Sequence, residues 1–130
     1  MLQKLNSIGQ TSTDNGRVIV IDKYGNVKKS PSTSYTVVSV TTTPYNVTQT
    51  VGNYVFLIDT TAAGGPVTMN LPTPVGNKAE YTFKKIDSGV DIITINPGVF
   101  TIDDDTSAII YYQNTTGTII SDNSNWKIIF

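Results

Sequence analysis

Three consecutive aspartates, Asp103, Asp104 and Asp105, form the only run of carboxylates in the chain. A corner rich in carboxylate oxygens could bind calcium. Consecutive residues of an extended strand point to opposite faces, however, and the spacing is not that of a calcium-binding loop. A solvated turn that discourages edge-to-edge association accounts for the run more simply. We therefore assign no metal site from the sequence, and whether this corner binds a cation stays open.

The rest of the chain offers few groups for catalysis. It contains no histidine and no cysteine, which removes the commonest general base near neutral pH and all thiolate chemistry. Glu80 is the only glutamate, so nothing selects a carboxylate pair of the kind that cleaves glycosides. No Gly-x-Ser-x-Gly elbow occurs, and Pro66 follows Gly64-Gly65 where a phosphate-binding loop would lead into a helix. We expect no catalytic residues, no enzyme activity and no cofactor.

Four tyrosines are candidates for binding carbohydrate. Tyr35, Tyr45, Tyr111 and Tyr112 could stack on sugar rings if their faces are exposed. Tyrosines in such strands more often belong to the core or to an interface, with the hydroxyl reaching a hydrogen-bond partner at the rim. Both interpretations are kept, with the structural one favoured.

Charge and hydropathy exclude two classes of partner. The chain has 130 residues, and its nine Lys and Arg against ten Asp and Glu leave a net charge of −1. The basic residues occur as scattered pairs, Lys28-Lys29 and Lys84-Lys85, so no basic stripe for nucleic acid is formed. No apolar run approaches the roughly 18 residues that span a bilayer, and the first ten residues lack the apolar centre of a signal peptide. We expect neither a nucleic acid nor a membrane as partner.

The elements that position these residues are predicted to be strands. Thr, Val, Ile and Tyr dominate, and apolar runs recur at the roughly 8–12-residue spacing of a sandwich or barrel. The last two runs, Thr118–Ser121 and Trp126–Phe130, predict a closing hairpin. The Ser/Pro-rich segment Ser30–Ser34 predicts a domain boundary. We therefore predict an all-β protein: residues 1–34 form an N-terminal arm and a short β-hairpin, and residues 35–130 form a single antiparallel, jelly-roll-like β-sandwich.

Three strands carry more apolar surface than one small core needs. The runs Tyr54–Ile58, Ala108–Tyr112 and Trp126–Phe130 are apolar on both faces. A large exposed apolar patch is unusual in a soluble monomer, so we expect a second buried surface between subunits. The residues predicted for this oligomer interface are Tyr54, Phe56, Ile110, Tyr112, Trp126 and Phe130.

Seven short motifs follow one another in a recognisable order. They are Tyr35-Thr-Val37, Phe56-Leu-Ile-Asp59-Thr-Thr61, Val67-Thr-Met-Asn-Leu71-Pro72, Tyr81-Thr-Phe-Lys-Lys85, Ile92-Ile-Thr-Ile95, Thr101-Ile-Asp103 and Ile120-Ser-Asp122-Asn-Ser-Asn-Trp126. In this order they resemble the β-rich domain of tailed-bacteriophage fibre and head-decoration proteins, over Tyr35 to Phe130. The upstream segment Gly16–Asn26 is similar to a short strand-turn-strand unit of phage fibres. Family members often carry Asp-Gly where this chain has Asp103-Asp104, and Gly in place of Asn123.

The resemblance implies a virion protein on the exterior of the capsid. It implies a homotrimer whose amino-terminal part binds the major capsid protein or another virion protein. The first ten residues carry Leu2, Leu5 and Ile8, which we predict as the capsid-attachment residues. Only Met1–Ser34 precedes the domain, which favours a capsid decoration or head-fibre protein. The alternative is a carbohydrate-binding receptor module of a tail fibre that contacts a host surface glycan, and a depolymerase fragment is a third, weaker candidate.

Overall fold

The computed structural model describes Thr11–Asp14, Arg17–Ile21 and Val27–Lys29 as strands and residues 34–129 throughout. The chain divides into two compact units, Met1–Tyr35 and Thr36–Phe130. Within the described residues, no helix is long and apolar enough to cross a membrane.

The first unit contains a three-stranded antiparallel sheet in the order β1-β2-β3, formed by β1 (Thr11–Asp14), β2 (Arg17–Ile21) and β3 (Val27–Lys29). The antiparallel pair β2 and β3 agrees with the short β-hairpin predicted within residues 1–34. The sequence analysis assigned no strand to residues 11–14, but Thr11–Asp14 pairs with β2 in a register that joins Thr11 to Val20 and Asp14 to Arg17. Threonine is branched at Cβ and favours strands even in a polar segment, which explains the difference.

The second unit consists of nine strands in two sheets and one short helix. The five-stranded sheet has the order β12-β11-β8-β6-β4, and the four-stranded sheet has the order β10-β9-β7-β5. The elements in chain order are β4 (Thr36–Val40), β5 (Tyr45–Asn46), β6 (Val51–Ile58), α1 (Thr60–Ala63), β7 (Val67–Asn70), β8 (Lys78–Lys85), β9 (Ile93–Asn96), β10 (Ala108–Ile110), β11 (Thr116–Ser121) and β12 (Trp126–Ile128).

From β4 to β9, successive strands belong alternately to the larger and to the smaller sheet. The strands β4, β6 and β8 are parallel neighbours in the larger sheet, and β5, β7 and β9 are parallel neighbours in the smaller one. Parallel neighbours need a crossover connection, and here each crossover includes a strand of the opposite sheet, as in β-solenoids. The last three strands pair with antiparallel neighbours: β10 with β9, β11 with β8 and β12 with β11.

The prediction of a mainly β protein is confirmed, as is the closing hairpin between β11 and β12. The predicted antiparallel arrangement is not confirmed, because both sheets are mixed. Alternation of apolar and polar residues identifies a strand and its buried face, but it carries no information on the direction of the neighbouring strand. A signal for parallel stacking was present, since Val67-Thr-Met-Asn70 and Ile93-Thr-Ile-Asn96 repeat one pattern and pair residue by residue.

One cluster of buried side chains takes members from both sheets. At its centre, in-register neighbours form a column in which the rings of Phe56 and Phe83 stack with centroids 5.3 Å apart. Tyr81 packs against Trp126, with centroids 5.5 Å apart. Each fully buried aromatic ring of this kind contributes strongly to stability through the apolar area it removes from water.

A second column, made of asparagines, lies on the opposite face of the smaller sheet. Asn46, Asn70 and Asn96 are in register on β5, β7 and β9. The Asn70 amide nitrogen donates to Oδ1 of Asn46 at 3.0 Å, and the Asn96 amide nitrogen donates to Oδ1 of Asn70 at 2.9 Å. Such ladders satisfy amides along a parallel stack and oppose a shift in register.

Candidate functional site

A buried ion pair closes the end of strand β8. Val40, Ile58 and Lys85 are register partners on β4, β6 and β8, and all three face the core. The side chain of Lys85 is fully buried. The Lys85 ammonium lies 2.8 Å from Oδ2 of Asp87 and also donates to the carbonyl oxygens of Asp87 and Gly89, at 3.1 and 3.0 Å. Its remaining contact is with the Thr60 hydroxyl oxygen, at 3.3 Å. A lysine ammonium has three protons, so all of them are shared with acceptors.

The carboxylate of Asp87 is held as tightly as its partner. Its Oδ1 accepts a hydrogen bond from the Thr60 backbone N–H at 2.8 Å. Its Oδ2 accepts from the Thr60 hydroxyl, the Thr61 hydroxyl and the Gly89 N–H, at 2.8, 3.1 and 2.9 Å. Burial alone would raise the pKa of Asp87, but the hydrogen bonds from Lys85, Thr60 and Gly89 outweigh it and hold that pKa well below its usual value. With no open position, the pair acts as a cross-link and not as a reactive group.

The cross-link joins β8 to helix α1, a single turn that the sequence did not predict. Asp59 caps the helix by accepting a hydrogen bond from the Ala62 N–H at 2.9 Å, and Gly64 ends it with a left-handed φ of 83°. Sequence reasoning also missed the ion pair. The signal was the alternation along β8, because Tyr81 and Phe83 face the core and Lys85 lies at the next inward position.

Residues 109–115, here called the tyrosine turn, dock on this same end of β8. The Asn114 N–H donates to the Lys85 carbonyl oxygen at 2.7 Å, and the Gln113 side-chain amide donates to the Ile86 carbonyl oxygen at 2.9 Å. Asn114 has a left-handed φ of 66°, a conformation that asparagine tolerates better than most residues. The buried ion pair thus lies behind the backbone that holds the turn.

Both rings of the tyrosine turn are exposed, Tyr111 at 54% and Tyr112 at 77%. Their centroids are 6.1 Å apart and their planes are inclined by 43°, so they form a V-shaped pair of aromatic surfaces and not a flat platform. Ile109 and Ile86 also keep part of their surface exposed, which makes this turn one of the apolar parts of the described surface. The turn can contact an apolar or ring-shaped partner.

The other tyrosines considered for carbohydrate binding are placed differently from each other. Tyr35 is exposed. Tyr45 is half-buried and packs edge-on against Phe56, with ring centroids 5.9 Å apart, so its ring contributes to the core. Neither belongs to the tyrosine turn.

The residues predicted for the oligomer interface separate into three groups. Phe56 and Trp126 have no exposed surface and Ile110 is buried, so their side chains cannot contact a second copy without opening the core. Tyr54 is half-buried and stacks beside Phe56. Tyr112 alone among the described five is largely exposed. The correction has a plain cause: Phe56, Ile110 and Trp126 lie on the inward faces of their strands, in the one core of the domain, and a strand that is apolar on both faces does not reveal which face meets the core.

Four of the predicted site residues lie outside the described residues. They are Phe130, assigned to the interface, and the capsid-attachment set Leu2, Leu5 and Ile8.

The Asp103–Asp105 run forms a two-residue hairpin turn. Ile102 and Asp105 exchange backbone hydrogen bonds of 2.8 and 2.9 Å, and the two residues between them have left-handed φ angles, 48° at Asp103 and 72° at Asp104. Oδ1 of Asp103 accepts from the Ile128 N–H at 3.2 Å, at the edge of β12. Within residues 34–129, no three Asp or Glu side chains come together in a way that could hold a metal ion.

No model of a protein family matches the chain, and no curated protein matches it.

Proposed function

We propose that the chain is a structural virion protein of a tailed bacteriophage, a homotrimeric capsid decoration or head-fibre protein. The N-terminal segment attaches it to the major capsid protein or another virion protein, and the domain that begins near Tyr35 projects from the capsid exterior. The two sheets of that domain enclose their common core as a β-sandwich. The role we propose is structural, and we assign no catalytic residue.

The observation that carries the proposal is the order of motifs between Tyr35 and Trp126. Each motif that resembles the phage domain coincides with a structural element: β4, the junction of β6 and α1, β7, β8, β9, the Ile102 hairpin, and the β11–β12 hairpin. The Lys-Ile-Asp sequence after Phe83 supplies the buried cross-link. The motifs are thus the residues that build the fold, which is the pattern expected of a structural module.

Exposed apolar side chains supply surfaces for assembly. Tyr112 projects from the tyrosine turn, and Val90 and Val99, at 92% and 93% exposed, project from the loops on either side of β9. A single exposed valine is normal on a protein surface, whereas several apolar side chains that one partner covers together can form an interaction site. The trimer interface is proposed to include these residues in place of Phe56, Ile110 and Trp126.

Attachment is tested with two matched variants of the N-terminal arm. Replacing Leu2, Leu5 and Ile8 together by Ser removes its apolar residues, whereas replacing Gln3 and Asn6 by Ser leaves them in place. Particles assembled without the protein are mixed with each purified variant and sedimented. The variant with Gln3 and Asn6 replaced is expected to bind like the unmodified protein. The variant with Leu2, Leu5 and Ile8 replaced is expected to stay in the supernatant as a folded oligomer. Normal binding of the variant that lacks Leu2, Leu5 and Ile8 would rule out attachment through these three residues.

A carbohydrate-binding receptor module is the second candidate, favoured by the exposed rings of Tyr111 and Tyr112. Stacking of one aromatic ring on a sugar depends on its open face, so Tyr112→Ala should weaken glycan binding at least tenfold. Tyr35→Ala removes an exposed tyrosine outside the turn and should leave binding unchanged. A glycan array probed with the unmodified protein that shows no saturable binding would exclude this function.

A further inference from the structure

An apolar cavity lies between the two sheets, next to the tyrosine turn. Its volume is about 170 Å³. The walls come from both sheets: Ile95 and Ala108 with Ile110 on one side, and Gly117, Ile119 and Ile128 on the other. The exposed residues of its lining are Ile109, Thr115 and Thr116, so the cavity opens to solvent beside them.

Gly117 explains why this space is empty. In strand β11 it pairs with Phe83 and lies two positions before the buried Ile119, so it occupies an inward position of the sheet. A Cβ atom built on Gly117 would have no atom within 4 Å. Most inward positions of the neighbouring strands carry a large side chain, and the core is filled there. The missing side chain at position 117 therefore leaves unfilled space beside Ile119.

The cavity has the size and chemistry of a site for a small hydrocarbon group. No charged residue lines it, and its only polar side chains, the two threonines, belong to the exposed part of the lining. A cavity of about 150 Å³ lined by Leu, Ile and Phe in another protein stays dry and binds benzene. Water gains little here because a bound water needs two to four polar partners. An apolar group that enters would regain the van der Waals contacts that the walls lack.

We propose that this cavity is a binding site for one uncharged, benzene-sized hydrocarbon group. Such a group could be supplied by a free small aromatic molecule or by a phenyl or branched aliphatic side chain of another protein chain. The site does not depend on the proposed virion function, because its geometry lies within one domain.

Benzene is the probe, and the full chain is the sample. Benzene at about ten times its dissociation constant should raise the Tm by roughly 5 °C or more. It should also shift the methyl NMR signals of Ile95, Ile119 and Ile128 in the unmodified protein. Gly117→Val and Ala108→Leu each fill the cavity from opposite walls, so each should abolish both effects. Thr118→Val replaces a hydroxyl by a methyl group on the outer face of the same strand, where it removes the 2.8 Å hydrogen bond to the Thr82 hydroxyl, and its response to benzene should match that of the unmodified protein.

Two results would overturn the proposal. One is a folded, unmodified protein whose Tm and methyl signals do not respond to saturating benzene. The other is an equal response in the cavity-filling variants, which would place benzene elsewhere. The use of two filling variants keeps the test decisive if one of them fails to fold.

A second arm distinguishes the two sources of the group. If a side chain of a neighbouring copy occupies the cavity, benzene competes with it, and light scattering should report a lower average mass as benzene is added. If a free small molecule occupies it, benzene should leave the mass unchanged. Either result supports the site, provided that the benzene response itself is observed.

Discussion

The Lys85 ammonium and the Asp87 carboxylate form a 2.8 Å ion pair in which the lysine side chain is fully buried and the aspartate side chain is 8% exposed. Only Ile86 separates the partners in sequence, yet the pair connects three parts of the domain: β8, helix α1 and the segment that leads to β9. A pair of this kind is costly to desolvate and is expensive to break on one side only.

The first prediction concerns this pair. Asp87→Ala or Lys85→Met leaves one buried charge without its partner, so each should lower the free energy of unfolding by about 3–5 kcal/mol. The double variant should lose markedly less than the sum of the two, because no unpaired charge remains. Urea denaturation measures the free energy of unfolding of the two single variants and of the double variant. Lys84→Met, on the outer face of the same strand, is the control and should change stability by less than about 0.5 kcal/mol.

The second prediction is the response of stability to acid. The pKa of Asp87 in the folded protein is below its unfolded value of about 3.9, so its contribution is complete above that pH and is lost as the pH falls toward the folded pKa. Urea denaturation between pH 7 and pH 2.5 should show stability falling below about pH 4. Asp87→Asn should start from lower stability and fall less steeply. Parallel pH profiles for the two proteins would contradict the proposed role of Asp87.

Asp122 gives the residual pH dependence expected in that variant. Hydrogen bonds from the Asn125 and Ser124 N–H groups lower the pKa of Asp122 as well. Its contribution is the same in both proteins, so the difference between the two profiles isolates Asp87.

The third prediction uses the hairpin turn at Asp103 and Asp104. Asp104 has a φ of 72°, a left-handed conformation that glycine adopts without a steric penalty. Asp104→Gly should therefore raise the free energy of unfolding, by roughly 0.5–1 kcal/mol. Asp105 is equally exposed but has no left-handed φ, so Asp105→Gly should gain nothing and lose about 0.5–1 kcal/mol. Equal effects of the two changes would show that backbone conformation is not the cause.

The fourth prediction concerns the asparagine column. Asn70 occupies the middle position and bonds to both neighbours, whereas Asn46 bonds to one. Asn70→Ala should lower the free energy of unfolding by about 1–3 kcal/mol, since two hydrogen bonds of about 1 kcal/mol each are lost. Asn46→Ala, at the exposed end, should lose about half as much. Thermal unfolding followed by circular dichroism would compare them, and a larger loss at Asn46 would contradict the ladder.

The sequence contained most of the strands, and the reason is physical. Val67, Met69 and Leu71 alternate with polar residues, and that period of two is the direct imprint of one buried face. The alternation does not predict whether neighbouring strands run parallel or antiparallel, because both arrangements bury the same alternating face. Only the repeat of Val67–Asn70 in Ile93–Asn96 carried that information.

The candidate interface was harder to predict than the fold. Phe56, Ile110 and Trp126 were assigned to a subunit contact because their strands are apolar on both faces, and the structure places these three in the core. All three lie on the inward faces of their strands, and a strand that is apolar on both faces does not reveal which face meets the core. Conversely, Lys85 was considered only as a member of a scattered basic pair, although its position two residues after Phe83 assigned it to the inner face.

The most direct test of the central claim is the mass of the purified full chain in solution. Multi-angle light scattering after size exclusion, over a hundredfold range of protein concentration, should give three times the 14.1 kDa mass of one chain. Tyr112→Ser and Val99→Ser, at exposed positions of the proposed interface, should lower that mass without lowering the Tm of the domain. A single species of 14.1 kDa at every concentration would contradict the proposed trimer and, with it, the assembly on which the virion function depends.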